Sequence, residues 1–134
     1  MKKTEISARP YLLRAIHDWV SDNNQTPLIL VNSNVDNAIL PQEYTSDGQI
    51  ILNISWSATQ NLLFDNEKIT FSARFSGNSR HVVIPINAIQ GIYSRESEEG
   101  IMFENESNMS VVKNKVDTKD NIPQKGRPDL KLIK

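Results

Sequence analysis

From Leu28 to Phe103 the chain is a succession of short apolar runs, and the two longer connections between them, residues 33–48 and 55–67, contain no helix long enough to serve as a parallel crossover. Runs spaced this closely pair with their neighbours, antiparallel. The clearest is Lys68-Ile69-Thr70-Phe71-Ser72-Ala73-Arg74-Phe75. Its alternation puts Ile69, Phe71, Ala73 and Phe75 on one side and Thr70, Ser72 and Arg74 on the other. Leu28–Asn32, Gln49–Ile54, Arg80–Ile84, Ile92–Arg95 and Ile101–Glu104 read as further strands. Ser46-Asp47-Gly48, Asp65-Asn66, Ser76–Ser79 and Glu98-Glu99-Gly100 read as turns. Ser55–Leu62 reads as a turn or a short helical piece, and Ile86–Gly91 has no clear period. The expectation is a mainly β fold with one amino-terminal α-helix, its sheet small, antiparallel and strongly bent or partly closed into a barrel.

The helix is expected to begin at Ser7-Ala8-Arg9-Pro10, where serine caps and proline is accepted in the first turn. Helical spacing then runs from Tyr11 to Val20 and stops near Asp22-Asn23-Asn24. Tyr11, Leu12, Leu13, Ala15, Ile16, Trp19 and Val20 fill an arc of about 200°, roughly twice what one core-facing stripe needs. Arg14, His17 and Asp18 take the remaining polar arc. Such a helix either buries two faces or is wrapped by its own domain. Burial of the Tyr11/Ala15/Trp19 edge against a second copy is the simplest form of the first reading.

Chemistry is harder to find. The absence of cysteine excludes disulfides, thiolate metal sites and a cysteine nucleophile. His17 and His81 each lack a second histidine at metal-binding spacing. No Gly-x-Ser-x-Gly elbow, dinucleotide-binding glycine motif or phosphate-binding lysine loop occurs. Glu96, Glu98 and Glu99 precede a turn glycine and read as a solvated charge cluster. No catalytic residue, metal or cofactor is expected. A binding role fits better. Ala73 interrupts a row of large residues and either leaves a depression between them or allows close core packing. Met102 and Phe103 supply an adaptable wall from a late strand.

Charge divides the chain. Residues 1–104 carry eight basic and twelve acidic side chains, residues 105–124 three of each, and residues 125–134 four basic and one acidic. The acidic body argues against DNA or general phosphate-backbone binding. Residues 105–124 have the composition of a flexible linker. Residues 125–134 return apolar side chains beside basic ones and read either as a frayed end or as a docking peptide. No run has the length of a membrane span, and the amino end lacks the apolar core of a leader, so a cytoplasmic protein is expected.

Several stretches together resemble one family. These are Arg9-Pro10-Tyr11-Leu12-Leu13-Arg14-Ala15, Asp47-Gly48-Gln49-Ile50-Ile51-Leu52-Asn53, Ala73-Arg74-Phe75, Ile92-Tyr93-Ser94-Arg95-Glu96 and Gly100-Ile101-Met102-Phe103-Glu104. To them is added the tail Gly126-Arg127-Pro128-Asp129-Leu130-Lys131-Leu132-Ile133-Lys134. In this order they are similar to the SspB family, the bacterial stringent starvation protein B or ClpXP specificity-enhancing factors. The resemblance implies an Sm-like tag-binding domain over 1–104, a linker over 105–124 and a ClpX-docking peptide over 125–134. It implies an adaptor that is not an enzyme. Its peptide groove would use Ala73, Arg74, Phe75, Met102 and Phe103. Its dimer contact would use Tyr11, Leu12, Ala15 and Trp19. Its docking end would use Arg127, Pro128, Leu130, Leu132 and Ile133. The partners implied are ssrA-tagged proteins, the amino-terminal domain of ClpX and a second copy of the chain, with the ribosome as a further candidate and no membrane or DNA. Better-known members carry a longer, very acidic linker; here that stretch is neutral. An Sm-like RNA-binding protein is the alternative.

Overall fold

The computed structural model describes residues 7–103 and 109–112. Helix α1, Arg9–Asp22, opens the chain. Ser7 does not occupy the cap position itself; its Oγ accepts from the backbone N–H of Arg9 at 3.1 Å, and Ala8 takes the cap. At the other end Asn23 donates its side-chain amide to the Trp19 carbonyl at 2.8 Å. Asn24 turns into the left-handed region, φ 59°, and stops the helix.

Among the described residues eight strands follow: β1 Pro27–Asn32, β2 Gln49–Asn53, β3 Thr59–Phe64, β4 Lys68–Phe75, β5 Asn78–Pro85, β6 Ile89–Ser94, β7 Gly100–Phe103 and β8 Met109–Val112. They form two antiparallel sheets, one in the order β2-β1-β6-β7-β8 and one in the order β3-β4-β5. A two-bond backbone pair between Ile39 and Val83 ties the β1–β2 connection to β5. The expected mainly β, antiparallel fold with one helix is the fold observed.

Alternation explains the core. β1 buries Ile29 and Val31, β2 Ile50 and Leu52, β4 Ile69 and Phe71, and β5 Val82 and Ile84. With Leu13 of the helix they join one cluster to which both sheets contribute. Burying each such side chain stabilises the fold by about 1.5–3 kcal/mol. The β4–β5 hairpin then runs past this core: Ala73 and Phe75 pack only partly against it. Its turn has positive φ at both Ser76 and Gly77, the twist a two-residue hairpin favours. Gly100 permits a different economy of space. A Cβ there would stand 2.1 Å from the Ile92 carbonyl oxygen and 2.5 Å from Tyr93 Cα, so β6 and β7 could not approach.

Three elements differ from the sequence reading. Thr59–Phe64 is a strand rather than a turn or helical piece; a register break between Gln60 and Leu63, with Asn61 at φ 59°, destroys the alternation that would have disclosed it. β8 pairs with β7 beyond the expected boundary at residue 104. His17 is buried, not on a polar arc. The inward stripe of α1 is Pro10, Leu13, His17 and Val20, and the whole helix is rotated accordingly.

Candidate functional site

β4 is the middle strand of the three-stranded sheet, and its outer half positions the site. Ala73 stands opposite Thr59 on one side and Arg80 on the other. Here β3 reaches its amino-terminal end, and the chain before it folds into a tight turn. The Ser55 carbonyl accepts from the Thr59 hydroxyl at 2.9 Å, and Ser55 Oγ accepts from the Ala58 N–H at 3.2 Å. That turn and the hairpin enclose a depression of about 320 Å³ lined by Ser57, Ala58, Thr59, Gln60, Ala73, Arg74 and Ser79. Two alanines give it room, hydroxyls and an amide give it hydrogen-bonding edges, and Arg74 gives it one positive charge. The guanidinium of Arg74 donates to the Gly77 carbonyl at 3.2 Å.

Of the groove residues expected from sequence, Ala73 and Arg74 line this depression together. Phe75 does not line it; its ring packs on Tyr44, with centroids 5.5 Å apart. Met102 and Phe103 belong to β7, in the other sheet. Met102 lies over Gly91, where an added Cβ would come within 2.3 Å of its sulfur. Phe103 is buried in the core, under the Arg9 guanidinium at 4.6 Å. Sequence reasoning missed Ser57, Ala58, Thr59, Gln60 and Ser79. The available signal was the cluster of small residues Ser55, Ser57, Ala58 and Thr59 leading into the unseen strand.

The short 3-10 turn Gln42–Tyr44 braces the same hairpin. Glu43 forms an ion pair with Arg80, and a second contact of that pair, Nη2 to Oε1, measures 3.0 Å. The hydrogen bonds from Arg80 lower the Glu43 carboxyl to about 2. The Tyr44 hydroxyl is hydrogen-bonded to Ser76 Oγ. Tyr44 also lines a shallower hollow of about 410 Å³ over β1 and β2, with Leu30, Gln49 and Ile51.

Behind the depression, His17 connects the helix to the turn. Its Nε2 is 2.7 Å from the Ile54 carbonyl, so this nitrogen carries the proton. Trp56 and Phe64 meet the ring edge-on at 4.8 and 5.0 Å. Burial holds the imidazole below its ordinary value of 6.5. On the opposite face of the helix, Tyr11 and Trp19 are exposed at 49% and 44%, Ala15 is exposed beside them, and Leu12 is half-buried against the core.

Glu96 is no idle surface charge. It accepts from the Thr26 N–H at 2.7 Å and from the Thr26 hydroxyl at 2.8 Å, and these bonds lower its carboxyl. The β6–β7 connection is thereby fastened to the start of β1. Among the described residues no group of histidines and carboxylates is arranged to hold a metal ion, and no helix is long and apolar enough to cross a membrane. The expected docking residues Arg127, Pro128, Leu130, Leu132 and Ile133 lie outside the described residues.

The described fold can be set beside known proteins. The family model for stringent starvation protein B, SspB, matches residues 7–131. A stringent starvation protein B homolog of Haemophilus influenzae is 51% identical over 98 residues, a match covering 73% of this chain and 65% of that protein's length. The matched segment takes in the helix, both sheets and the depression at Ala73, and the chain belongs to the stringent starvation protein B family.

Proposed function

We propose that the chain is a proteolytic adaptor: it holds ssrA-tagged proteins in the depression at Ala73 and tethers them to the ClpXP protease through residues 125–134. The carrying observation is the form of the depression. It is lined mostly by small side chains, with hydrogen-bonding groups among them, beside the end of a strand. Such a place suits an extended peptide, held by main-chain hydrogen bonds and small pockets. It contains no aromatic ring on which a base could stack, so the lining lends no support to RNA binding.

In this reading the protein performs no bond chemistry. Holding cargo at one end and protease at the other makes tag capture intramolecular, at an effective concentration up to about millimolar. The basic residues of the tail steer the encounter with an acidic surface, and its apolar residues supply the contact. Pairing of two chains through the exposed Tyr11/Ala15/Trp19 edge doubles the number of tails.

The test separates the two ends. Deleting residues 125–134 leaves tag-peptide affinity unchanged while degradation of a tagged protein loses its enhancement. Ala73→Gln does the reverse at its first step: the longer side chain fills the depression and peptide affinity falls at least about tenfold. Collapse of peptide affinity on tail deletion would defeat the proposed division of labour. Unchanged affinity in Ala73→Gln would place the groove elsewhere.

A further inference from the structure

The depression at Ala73 has one wall with little support of its own. The ladder from β3 to β4 ends at Thr59–Ala73, so residues 74–79 pair in the sheet only with each other among the described residues. A bare two-stranded ribbon is marginally ordered in water. Yet Arg74 and Ser79 of this ribbon line the depression beside Ala73.

One other element reaches the ribbon. Ile39 is bonded at both backbone groups to Val83 of β5, and Leu40 is buried in the core, so the segment that follows leaves a fixed point. It runs antiparallel to β5 and brings Glu43 to Arg80, which stands directly opposite Ala73 in the ladder. The next residue, Tyr44, lays its ring on Phe75 and its hydroxyl on Ser76 in the turn. Two consecutive side chains thus hold the ribbon on both strands and at its tip. Neither of them lines the depression.

We infer that Glu43 and Tyr44 are positioning residues for the groove: they fix the angle of the β4–β5 tip, and with it the width of the depression at Ala73. The inference rests on the reading of that depression as the peptide groove. The ion pair is exposed, with side-chain exposures of 35% and 58%, and such pairs add little to global stability. Its effect is local. When the clasp is made, the ribbon is already ordered before a peptide arrives; when it is broken, the peptide must order the ribbon as it binds, and affinity falls. Glu43 stays ionised throughout, because Arg80 holds its carboxyl so low.

The experiment uses the full chain and a labelled peptide carrying the amino-terminal part of the ssrA tag. Glu43→Gln and Arg80→Met each weaken binding about threefold, with thermal unfolding nearly unchanged. Amide exchange across residues 74–79 accelerates in both. The swapped pair Glu43→Arg with Arg80→Glu restores affinity to within about twofold and restores the protection, which loss of general stability would not do. Single variants that bind and exchange like the unchanged protein overturn the inference, as does a swap without rescue. Ala73→Gln runs in parallel. If it abolishes binding while the clasp variants have no effect, the clasp fails and the groove stands. If it too binds normally, the groove reading fails and the clasp falls with it.

Discussion

His17 is a buried residue whose protonation the fold opposes. Its Nε2 proton is committed to the Ile54 carbonyl, and its Nδ1 is buried with no hydrogen-bond partner in the structure. Charging the ring would put a cation between Trp56, Phe64 and the helix with nothing to receive the new proton. The folded pKa is therefore lowered, and the unfolded chain takes up the proton first as pH falls. Stability from this source is complete above 6.5 and is lost as pH drops below that value toward the lowered one. We expect denaturant midpoints to fall between pH 7.5 and pH 5.5 in the unchanged protein. In His17→Leu that dependence flattens, and stability at pH 7.5 is lower by about 1–3 kcal/mol because the Ile54 carbonyl loses its donor. A variant that keeps the full pH dependence would clear His17 of responsibility. Sequence alone misplaced this residue for a simple reason. Histidine next to aspartate marks a polar arc by type, whereas the ring is dried by Phe64 of β3, a strand the pattern did not disclose, and by Trp56 of a turn whose packing the pattern did not show.

At the scale of elements, α1 carries two faces with separate tasks. Leu13, His17 and Val20 serve the core, while Tyr11, Ala15 and Trp19 face outward. The excess width of the apolar arc was legible in the chain; which part of it faced inward was not, because seven apolar residues around 200° leave the centre undetermined. The hairpins at Asp47-Gly48 and Ser76-Gly77 were legible because positive φ demands those residue types. β3 was not, since its bulge at Asn61 breaks the period of two. β8 was not, since Met-Ser-Val-Val sits in surroundings rich in asparagine and lysine. The site shows the same division. Ala73 announces itself as a gap in a row of large side chains, but the turn that faces it, Ser55-Trp56-Ser57-Ala58, says turn and nothing about what the turn encloses. For the helix edge we expect a dimer in sedimentation at micromolar concentration. Tyr11→Asp combined with Trp19→Asp should yield a monomer with an unfolding midpoint close to that of the unchanged protomer, because both rings are half exposed in it. Persistence of the dimer in that variant would move the contact off this edge.

For the molecule as a whole, the proposed adaptor joins an acidic body to a basic end, and the two ends should answer differently to salt. The proposed docking stretch carries four basic residues against one acidic residue, whereas the depression contains a single guanidinium among neutral groups. Raising ionic strength from about 0.05 to about 0.5 M shortens the screening length several-fold. The concentration of adaptor needed for half-maximal delivery should rise over this range, while peptide affinity measured apart from the protease changes less. Equal salt dependence of both would argue that the tail's charge has no part in docking.

Strand β8 sets a geometric limit on such a tether. It pairs with β7 at the outer edge of the five-stranded sheet, the edge opposite β2, so the chain beyond residue 112 starts from a fixed place on the body. Residues 113–124 span at most about 40 Å even when drawn straight. The start of the proposed docking stretch is thus confined within a sphere of that radius about one sheet edge, and residues 125–134 extend the reach by at most about 35 Å more. Whatever it grips must present its surface within that combined reach while the tag still reaches Ala73, which makes the leash a gauge of how far apart cargo and protease may stand.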